Sequence, residues 1–203
     1  MRPWNWPPSP SAEEAGRLSA RFGMPRPVAC TLARRGFRAG DDMEDFLSPR
    51  LGRLADPSGL DDMGRAVERV WRAVDAGETI FVHGDYDVDG ITGTAFLTRT
   101  LRALGAKVVP FVPDRTEGYG ISSAGIAAAR DAGATVLVTV DNGIRAFAEV
   151  EEAAAAGIDV VILDHHEPAD RLPPAYAVVD PRRDERHRDF HGLAGVGVAA
   201  KFI

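Results

Sequence analysis

Four potential metal ligands lie within seven residues of one another, directly after an apolar run. Residues 80–90 read IFVHGDYDVDG, in which His83 is followed by Asp85, Asp87 and Asp89. Carboxylates this close repel one another, and two charges 4 Å apart cost about 1 kcal/mol in water and about 4 kcal/mol near a protein surface. Bound cations would offset that repulsion, and oxygen ligands with an imidazole suit Mn²⁺ or Mg²⁺. The alternative is a solvated, Asp-rich turn.

Two further polar clusters follow apolar runs later in the chain. They are Asp141 with Asn142, and Asp164 with His165 and His166. Ligands of open α/β sheets bind outside the carboxyl ends of the strands, so residues that directly follow parallel strands meet at one edge. Turn aspartates scattered by chance would fall equally at the opposite edge. The three clusters together therefore favour a metal site over a solvated turn.

The elements that must position these residues alternate between strands and helices. Five short apolar runs predict strands, at residues 79–82, 108–112, 135–140, 160–163 and 177–179. Helical spacing of apolar residues lies between them, near residues 91–104, 123–132 and 146–156. The sequence predicts an α/β fold, an open parallel five-stranded sheet flanked by helices and joined by right-handed crossovers.

A helix is also predicted before the first strand. Its apolar positions run from Met63 to Val74, with Asp61 and Asp62 as its cap and Gly77 at its end. Residues 1–60 are richer in Pro, Gly and Arg, with helical patterns at 13–22 and 28–35, and predict a small helical lead-in. Within it, Trp4 and Trp6 are interpreted as anchors to a hydrophobic core rather than as base-stacking residues.

The second predicted region, residues 61–203, carries all three polar clusters and is the predicted catalytic domain. It closes on GLAGVGVAAKFI, residues 192–203, which indicates a Gly-rich turn and the opening of a helix without a cap. Because domains rarely end on an apolar, unfinished segment, we expect a fragment of a longer protein.

Composition limits the class of protein less than the motifs do. The 203 residues are 45% hydrophobic, which is enough for one main domain. A net charge of −6 argues against a simple electrostatic nucleic-acid binder, but bound cations would neutralise several of the acids. Cys30 is the single cysteine, which excludes a disulfide framework and predicts a reducing, cytoplasmic location. No stretch approaches the ~20 apolar residues that span a bilayer, so no membrane partner is expected.

The chemistry that such a site supports is phosphoester hydrolysis. Two divalent ions about 3.5–4 Å apart that share a carboxylate can activate water and clamp both the attacking and the leaving oxygen of a phosphoryl centre. Such a site needs about seven or eight protein ligands. The sequence offers His83, Asp85, Asp87, Asp89, Asp141, Asp164, His165 and His166.

These motifs have the order and setting of a known family. HGDYDVDG, VTVDNG and ILDHHEP, each after a predicted strand, resemble motifs I to III of the DHH phosphoesterase superfamily. DPSGLDDM at 56–63, EGYG at 117–120 and LAGVGVA at 193–199 resemble the bacterial single-strand-specific exonucleases within it. The resemblance implies metal-dependent 5′-to-3′ hydrolysis of single-stranded DNA in repair and recombination, with single-strand-binding protein and a helicase as protein partners.

The resemblance also implies which residues hold the ions. In DHH enzymes the first ion is held by the residues that correspond to His83, Asp87 and Asp141. The second ion is held by Asp89, the shared Asp141, His165 and an aspartate of motif IV. Motif IV lies beyond LAGVGVA in such enzymes, together with a second, DHH-associated domain, so this chain resembles only their N-terminal part.

Further roles follow from position in the motifs. Asp85 is expected to ligate or orient the first ion, and Asp164 to ligate or to fix an imidazole. His166 is expected to join Asp141 and His165 in catalysis, where it would contact the phosphate or deliver a proton to the leaving oxygen. The alternative for His166 is a histidine packed at the strand edge. Gly84 and Gly90 are expected to allow a close strand-to-helix turn.

Substrate contacts are predicted on two loops. Arg115, Gly118 and Tyr119 would form a loop over the phosphate, and Asn142 and Arg145 open the next helix at the same edge. Both segments are also compatible with ordinary turns. RRDERHR, residues 182–188, is interpreted as a solvated loop rather than a DNA clamp.

Three other functions compete with the exonuclease. A small-substrate DHH phosphoesterase would act on pyrophosphate, cyclic dinucleotides or short oligonucleotides. A non-catalytic scaffold would have no reason to maintain mutually repelling carboxylates. A dinucleotide-binding module is disfavoured because no GxGxxG follows the first strand.

Overall fold

The computed structural model describes residues 12–203, so the predicted anchors Trp4 and Trp6 lie outside the described residues. The chain divides after Ala55 into two compact units. Within the described part of the chain, every helix is too short or too polar to cross a membrane.

The first unit consists of short helices. They are α1 (Ala12–Phe22), α2 (Arg26–Arg34) and α3 (Asp41–Leu47), followed by a 3₁₀ turn at Leu51–Arg53. The helices enclose a small core of Ala15, Leu18, Ala29, Ala33 and Met43. Pro27 lies in the first turn of α2, where a missing backbone N–H costs nothing, and the helix therefore begins two residues before the predicted start.

The second unit begins five residues before the predicted boundary. Leu60 is buried in its main core, and the 3₁₀ turn Pro57–Gly59 leads into α4 (Met63–Ala76), which ends at Gly77 as predicted. The predicted capping role of Asp62 is wrong. Its backbone is left-handed at φ +59°, and its carboxylate accepts a hydrogen bond from the amide of Val178 at 3.2 Å instead of from the helix.

The main unit is built on a five-stranded parallel sheet, as predicted. Its strands are β1 (Thr79–His83), β2 (Lys107–Phe111), β3 (Ala134–Val140), β4 (Asp159–Leu163) and β5 (Ala177–Val179), in the order β2-β1-β3-β4-β5. The other helices are α5 (Val88–Ala103), α6 (Ser123–Asp131), α7 (Phe147–Ala155) and α8 (Gly195–Phe202).

Both faces of the sheet are covered, because alternate strand residues point to opposite layers. Val82 and Val138 belong to the layer that contains α4, α5 and α8. Phe81, Leu137 and Ile162 belong to the layer that contains α6 and α7. This explains why the strands are continuous apolar runs rather than alternating patterns.

The strand order places a topological switch point between β1 and β3. The chain leaves β1 towards β2 on one side and returns to β3 on the other side. Connections therefore diverge at the carboxyl ends of β1 and β3 and leave a crevice there, which is where open α/β sheets bind ligands. His83 ends β1 and Asp141 directly follows β3 at this crevice.

The segment predicted as a solvated loop is ordered against the edge strand. It forms 3₁₀ turns at Pro181–Arg183 and Glu185–Phe190. Arg183 donates to the carbonyl of Val178 at 2.6 Å and to Asp62 at 3.0 Å, and His187 is buried. An edge strand presents unpaired backbone groups. Here the amide of Val178 donates to Asp62 and its carbonyl accepts from Arg183, so both backbone groups have a partner. The segment is thus a largely solvent-exposed loop, as interpreted from the sequence, but one that is anchored to the edge strand by Arg183 and by the buried His187.

Candidate metal centre

The first polar cluster forms the turn from β1 into α5. Helix α5 begins at Val88, three residues before the predicted start, because Asp87 caps it. One oxygen of Asp87 accepts hydrogen bonds from the amides of Asp89 (2.9 Å) and Gly90 (3.0 Å). The cap fixes the direction of the Asp87 carboxylate and leaves its second oxygen for a ligand.

The predicted close approach at Gly90 is confirmed. A Cβ at this position would lie 2.5 Å from the backbone nitrogen of Asp85, and one at Gly84 would lie 1.9 Å from Oγ1 of Thr94. Any side chain at either position would push α5 away from the end of β1. The two glycines therefore allow the tight turn from β1 into α5 that contains Asp85 and Asp87.

One group of potential ligands consists of Asp85, Asp87 and Asp141. Each contributes a carboxylate oxygen, and these atoms lie within 4.8 Å of one another. Burial raises the pKa of Asp85. Burial, together with the negative charges of Asp89 and Asp87, raises the pKa of Asp141 to about 7. The site holds more negative charge than its surroundings stabilise, which is the condition that a bound cation would relieve.

A second group consists of Asp141, His165 and His166, and so shares Asp141 with the first. Nε2 of His165 lies 3.0 Å from Oδ1 of Asp141 and 3.6 Å from Oδ2 of Asp89. Asp141 has a left-handed backbone at φ +67°, a conformation that is uncommon for a residue other than glycine. The turn after β3 therefore holds a strained residue at the point that both groups share.

Asp89 is held by the last helix of the chain. Its two carboxylate oxygens accept hydrogen bonds from the amides of Gly195 (2.7 Å) and Val196 (2.8 Å) at the start of α8. A Cβ on Gly195 would lie 2.5 Å from Cβ of Asp141, so only glycine permits this approach. Sequence reasoning recognised LAGVGVA as a motif but missed that it positions Asp89.

Asp164 is fully buried, and both of its oxygens hold hydrogen bonds. Oδ1 accepts from the amide of His165 at 2.7 Å and lies 2.7 Å from Nδ1 of His166, while Oδ2 accepts from the amide of Ile144 at 2.9 Å. The hydrogen bond to Asp164 raises the pKa of His166. This geometry favours Asp164 as the group that fixes an imidazole over Asp164 as a direct metal ligand.

Tyr119 connects the predicted substrate loop to the cluster. Its hydroxyl donates to the backbone carbonyl of Asp141 at 3.1 Å and lies 3.0 Å from Nδ1 of His166. Burial and the nearby carboxylates, Asp164 first among them, raise the pKa of Tyr119, so the hydroxyl keeps its proton. The preceding Gly118 adopts φ +98°, which lets the loop turn back to the site.

His83 is fully buried at the end of β1. Neither ring nitrogen has a hydrogen-bond partner among residues 12–203, and burial lowers the pKa of His83 to about 4, so the imidazole is neutral. The ring packs 5.0 Å from that of Phe111, and a Cβ on Gly125 would lie 2.6 Å from Nε2. His83 belongs to neither ligand group, although its nitrogens are free to coordinate.

Of the other predicted substrate residues, the two arginines are exposed and the asparagine is buried. Arg115 is exposed and its guanidinium lies 5.2 Å from the ring centroid of Tyr86, a motif residue that sequence reasoning did not single out. Arg145 is exposed and donates to the carbonyl of Glu167 at 2.9 Å. Asn142 is buried, and its amide donates to the carbonyls of His83 (3.3 Å) and Val140 (3.0 Å), so it ties β1 to β3 instead of facing solvent.

Asp180 is another acidic position at this edge, and sequence reasoning missed it. It directly follows β5, is 1% exposed, and accepts a hydrogen bond from the amide of Arg182 at 2.8 Å, while Oδ2 has no partner among the described residues. Burial raises its pKa to about 7, and the charge of Asp164 adds to the shift. The rule that found Asp141 and Asp164 would have found Asp180, since it also comes directly after an apolar strand.

The residues fit a pair of hard divalent cations. The two ligand groups consist of carboxylates and imidazoles without a thiolate, and they share one carboxylate. Both ring nitrogens of His83 and Oδ1 of Asp85 are buried and have no hydrogen-bond partner among the described residues. Buried polar groups without partners are rare in folded proteins, and a cation at this crevice would satisfy them.

Residues 79–203 match the DHH family, N-terminal domain. The match covers most of the chain and includes both ligand groups, and the chain therefore belongs to the DHH family.

Within the family, the chain is similar to the single-stranded-DNA-specific exonuclease RecJ. It is 36% identical to RecJ of Bacillus subtilis over 95% of this chain and 25% of that protein, and 40% identical to RecJ of Escherichia coli over 82% of this chain and 29% of that protein. The crystal structure of RecJ from Thermus thermophilus in complex with Mn²⁺ has a TM-score of 0.72 and 32% identity, covering 96% of this chain and 27% of that one. The chain thus spans between a quarter and a third of these relatives.

Proposed function

We propose that this chain is the metal-binding part of an exonuclease that hydrolyses single-stranded DNA with two Mn²⁺ or Mg²⁺ ions. The observation that carries the proposal is the pair of ligand groups that share Asp141 at the switch point between β1 and β3. Similarity to RecJ exonucleases supports single-stranded DNA as the substrate. The 5′-to-3′ polarity, the role in repair and recombination, and the helicase and single-strand-binding partners rest on the resemblance of the motifs.

The proximity of the carboxylates and imidazoles supports an assignment of residues to each ion. Asp85, Asp87 and Asp141 would hold one ion, with the neutral imidazole of His83 as a further ligand. Asp141 and His165 would hold the other, with Asp89, which lies 3.6 Å from Nε2 of His165, as a further ligand. When bound, such ions supply an activated water and positive charge for the phosphoryl oxygens. The ligands are already held in place, since Asp87 caps α5 and Asp89 is bound by the amides of α8.

The protein's own groups then orient the substrate. His166 is exposed, and its Nδ1 lies 2.7 Å from Asp164 and 3.0 Å from the hydroxyl of Tyr119. Nε2 is therefore the ring nitrogen that would contact a phosphate oxygen or deliver a proton to the leaving oxygen.

Arg115 and Arg145 are exposed guanidinium groups at the same edge. Arg115 would bind phosphate through paired hydrogen bonds. Nε of Arg145 donates to the carbonyl of Glu167, and its remaining donors would contact the adjoining part of the nucleotide. The cytoplasm is the compartment that we propose, in agreement with a single cysteine.

The test is hydrolysis by the complete protein, with Mn²⁺, of a single-stranded oligonucleotide, a duplex and an inorganic pyrophosphate control. We expect mononucleotides from the single strand only, released from the 5′ end. Asp141→Asn should reduce the rate by more than about 100-fold, because loss of groups that merely orient metal ligands already costs about 10- to 100-fold. Asparagine tolerates the left-handed backbone at this position, so the fold is retained.

Asp131→Asn is the matched control. Asp131 is an exposed acid at the end of α6, and its replacement removes the same charge far from the ligand groups. It should leave the rate unchanged. Full activity of Asp141→Asn, or equal cleavage of pyrophosphate and single-stranded DNA, would rule out the proposed function.

A further inference from the structure

A cavity of about 540 Å³ borders the metal centre and extends towards the layer of α6 and α7. We call it the rim cavity. Three segments line it: residues 119–121 of the loop before α6, residues 143–146 with Glu149 at the start of α7, and Asp164, His166 and Glu167 after β4. Its volume lies in the range of about 300–1,000 Å³ that is typical of small-ligand sites.

The walls of the rim cavity are held in place before any ligand arrives. Ile121 and Ile144 line it and are only 7% and 2% exposed, so the core fixes both side chains. Arg145 spans from the turn after β3 to the loop after β4, where it donates to the carbonyl of Glu167 at 2.9 Å. A preformed cavity of this kind loses little entropy when it binds a rigid ligand.

The rim cavity and the metal centre share two residues. Asp164 and His166 line the cavity, and His166 also belongs to the second ligand group. Tyr119 stands between the two spaces, edge-on to the ring of His166 with centroids 5.6 Å apart. A molecule whose phosphate lies at His166 would therefore place its adjoining portion in the rim cavity.

The charge and polarity of the residues that line the rim cavity determine which part of a nucleotide it can bind. Glu149 contributes negative charge, which disfavours a second phosphate, while the charge of Glu167 is paired with Arg182. Neither glutamate belongs to the metal-ligand groups of the described residues, which disfavours a third cation. Tyr119, which is 55% exposed, and the half-buried Ala146 provide apolar contact for a flat ring. Arg145 and Glu149 offer a donor and an acceptor for its polar edge. Enzymes read an extruded base by this combination of apolar contact and hydrogen bonds.

We propose that the rim cavity holds the nucleobase of the nucleotide that is being released. This inference rests on the proposed function, because the phosphodiester that joins that nucleotide to the rest of the strand must lie at the metal centre. It adds a preference that phosphate chemistry alone does not impose: a terminal nucleotide that carries a base is released faster than one that lacks it.

The first experiment needs no variant. The complete protein with Mn²⁺ is given single strands with a thymine or an abasic tetrahydrofuran residue at the first nucleotide, and a third strand has the abasic residue at the tenth nucleotide. Release of the first nucleotide should slow by roughly 5- to 150-fold for the terminal abasic strand, the range that contact with one base contributes, and should be unchanged for the third strand. Equal rates for all three strands would overturn the rim-cavity proposal alone, whereas no hydrolysis of any strand would overturn the proposed function itself.

A second experiment locates the effect. Ala146→Leu adds bulk to the lining, and Ala148→Leu adds the same bulk two residues later at an exposed position outside the cavity. Ala146→Leu should lower the preference for the thymine-terminated strand to about one while it retains hydrolysis of the abasic strand. A variant that merely perturbs the fold would lose both activities. Retention of the full preference by Ala146→Leu, or its loss in Ala148→Leu, would show that the base binds elsewhere.

Discussion

At the scale of single residues, most positions of the candidate site follow from one rule of sheet geometry. Asp141 and Asp164 each come directly after a strand, His165 follows Asp164, and the carboxyl ends of parallel strands share one edge. The rule predicts convergence but not orientation. It cannot tell that the carboxylate of Asp164 faces His166, or that the imidazole of His83 lies outside both ligand groups, because those directions depend on packing against α6 and on the turn after β4.

Asp180 makes stability depend on pH in a defined direction. Burial raises its pKa from 3.8 to about 7, so over that interval the folded state keeps a proton that the unfolded state releases. Stability should therefore fall as the pH rises from about 4 to about 7 and then level off. Asp180→Asn keeps the oxygen that accepts from Arg182 but cannot ionise. In metal-free buffer at pH 8 we expect Asp180→Asn to raise the free energy of unfolding by on the order of a few kcal/mol. Its melting temperature should therefore exceed that of the wild type, and the difference should disappear near pH 4.

Asp184, four residues after Asp180, has a lowered rather than a raised pKa. It accepts a hydrogen bond from the amide of Arg186 at 2.8 Å in the same way, but it is more exposed, and that hydrogen bond lowers its pKa. A lowered pKa contributes stability that is present above the unfolded value and is lost as the pH falls. Asp184→Asn should therefore leave unchanged or lower the melting temperature at pH 8. A parallel rise in both variants would refute the assignment of the pH dependence to burial of Asp180.

At the scale of elements, the strands were predicted to within one residue at each end. The final strand, Ala177–Val179, has the predicted bounds, because β-branched runs bounded by polar residues define buried strands well. Helix starts were predicted less well, since they depend on which side chain caps them. Asp87 begins α5 earlier than the apolar spacing suggests, and Asp62 pairs with Val178, which is 116 residues away in sequence. No local pattern reveals a partner at that distance.

The turn between β1 and α5 gives a direct test of positioning by glycine. Alanine in a helix normally stabilises it by up to about 1 kcal/mol relative to glycine. At Gly90 the added methyl group would lie 2.5 to 2.6 Å from three backbone atoms of Asp85, which no side-chain rotation relieves. We expect Gly90→Ala to destabilise the protein by about 1–3 kcal/mol and to weaken Mn²⁺ binding, as measured by urea unfolding with and without the metal.

Gly64 is the matched control in the first turn of α4. A Cβ at Gly64 meets nothing within 4 Å, so Gly64→Ala should stabilise the protein slightly and leave Mn²⁺ binding unchanged. If Gly90→Ala behaved like Gly64→Ala, the close approach of α5 to the end of β1 would not be what positions Asp85 and Asp87.

At the scale of the whole molecule, the two edges of the sheet balance charge in different ways. At the amino edge Arg69 is buried and donates to Glu78 at 2.8 Å and to Asp159 at 2.5 Å, so these acids have a cation within the protein. At the carboxyl edge the basic partner of Asp89 and Asp141 within residues 12–203 is an imidazole, that of His165. The net charge of −6 is therefore unevenly distributed. The acids of the amino edge are paired with Arg69, whereas those of the carboxyl edge would be neutralised by external cations.

This asymmetry predicts that the folded protein gains stability from Mn²⁺. A ligand that binds only the folded state adds about 2.7 kcal/mol at a concentration 100 times its dissociation constant, and the ligand groups exist only when β1, β3 and β4 are paired. The melting temperature of the metal-free protein should rise steadily through a Mn²⁺ titration. Asp141→Asn, which removes the charge that both groups share, should lose most of this rise, whereas Asp131→Asn should keep it. A melting temperature that stays constant in the wild type would mean that the carboxyl edge tolerates its charge without cations, and the paired-ion site would have to be abandoned.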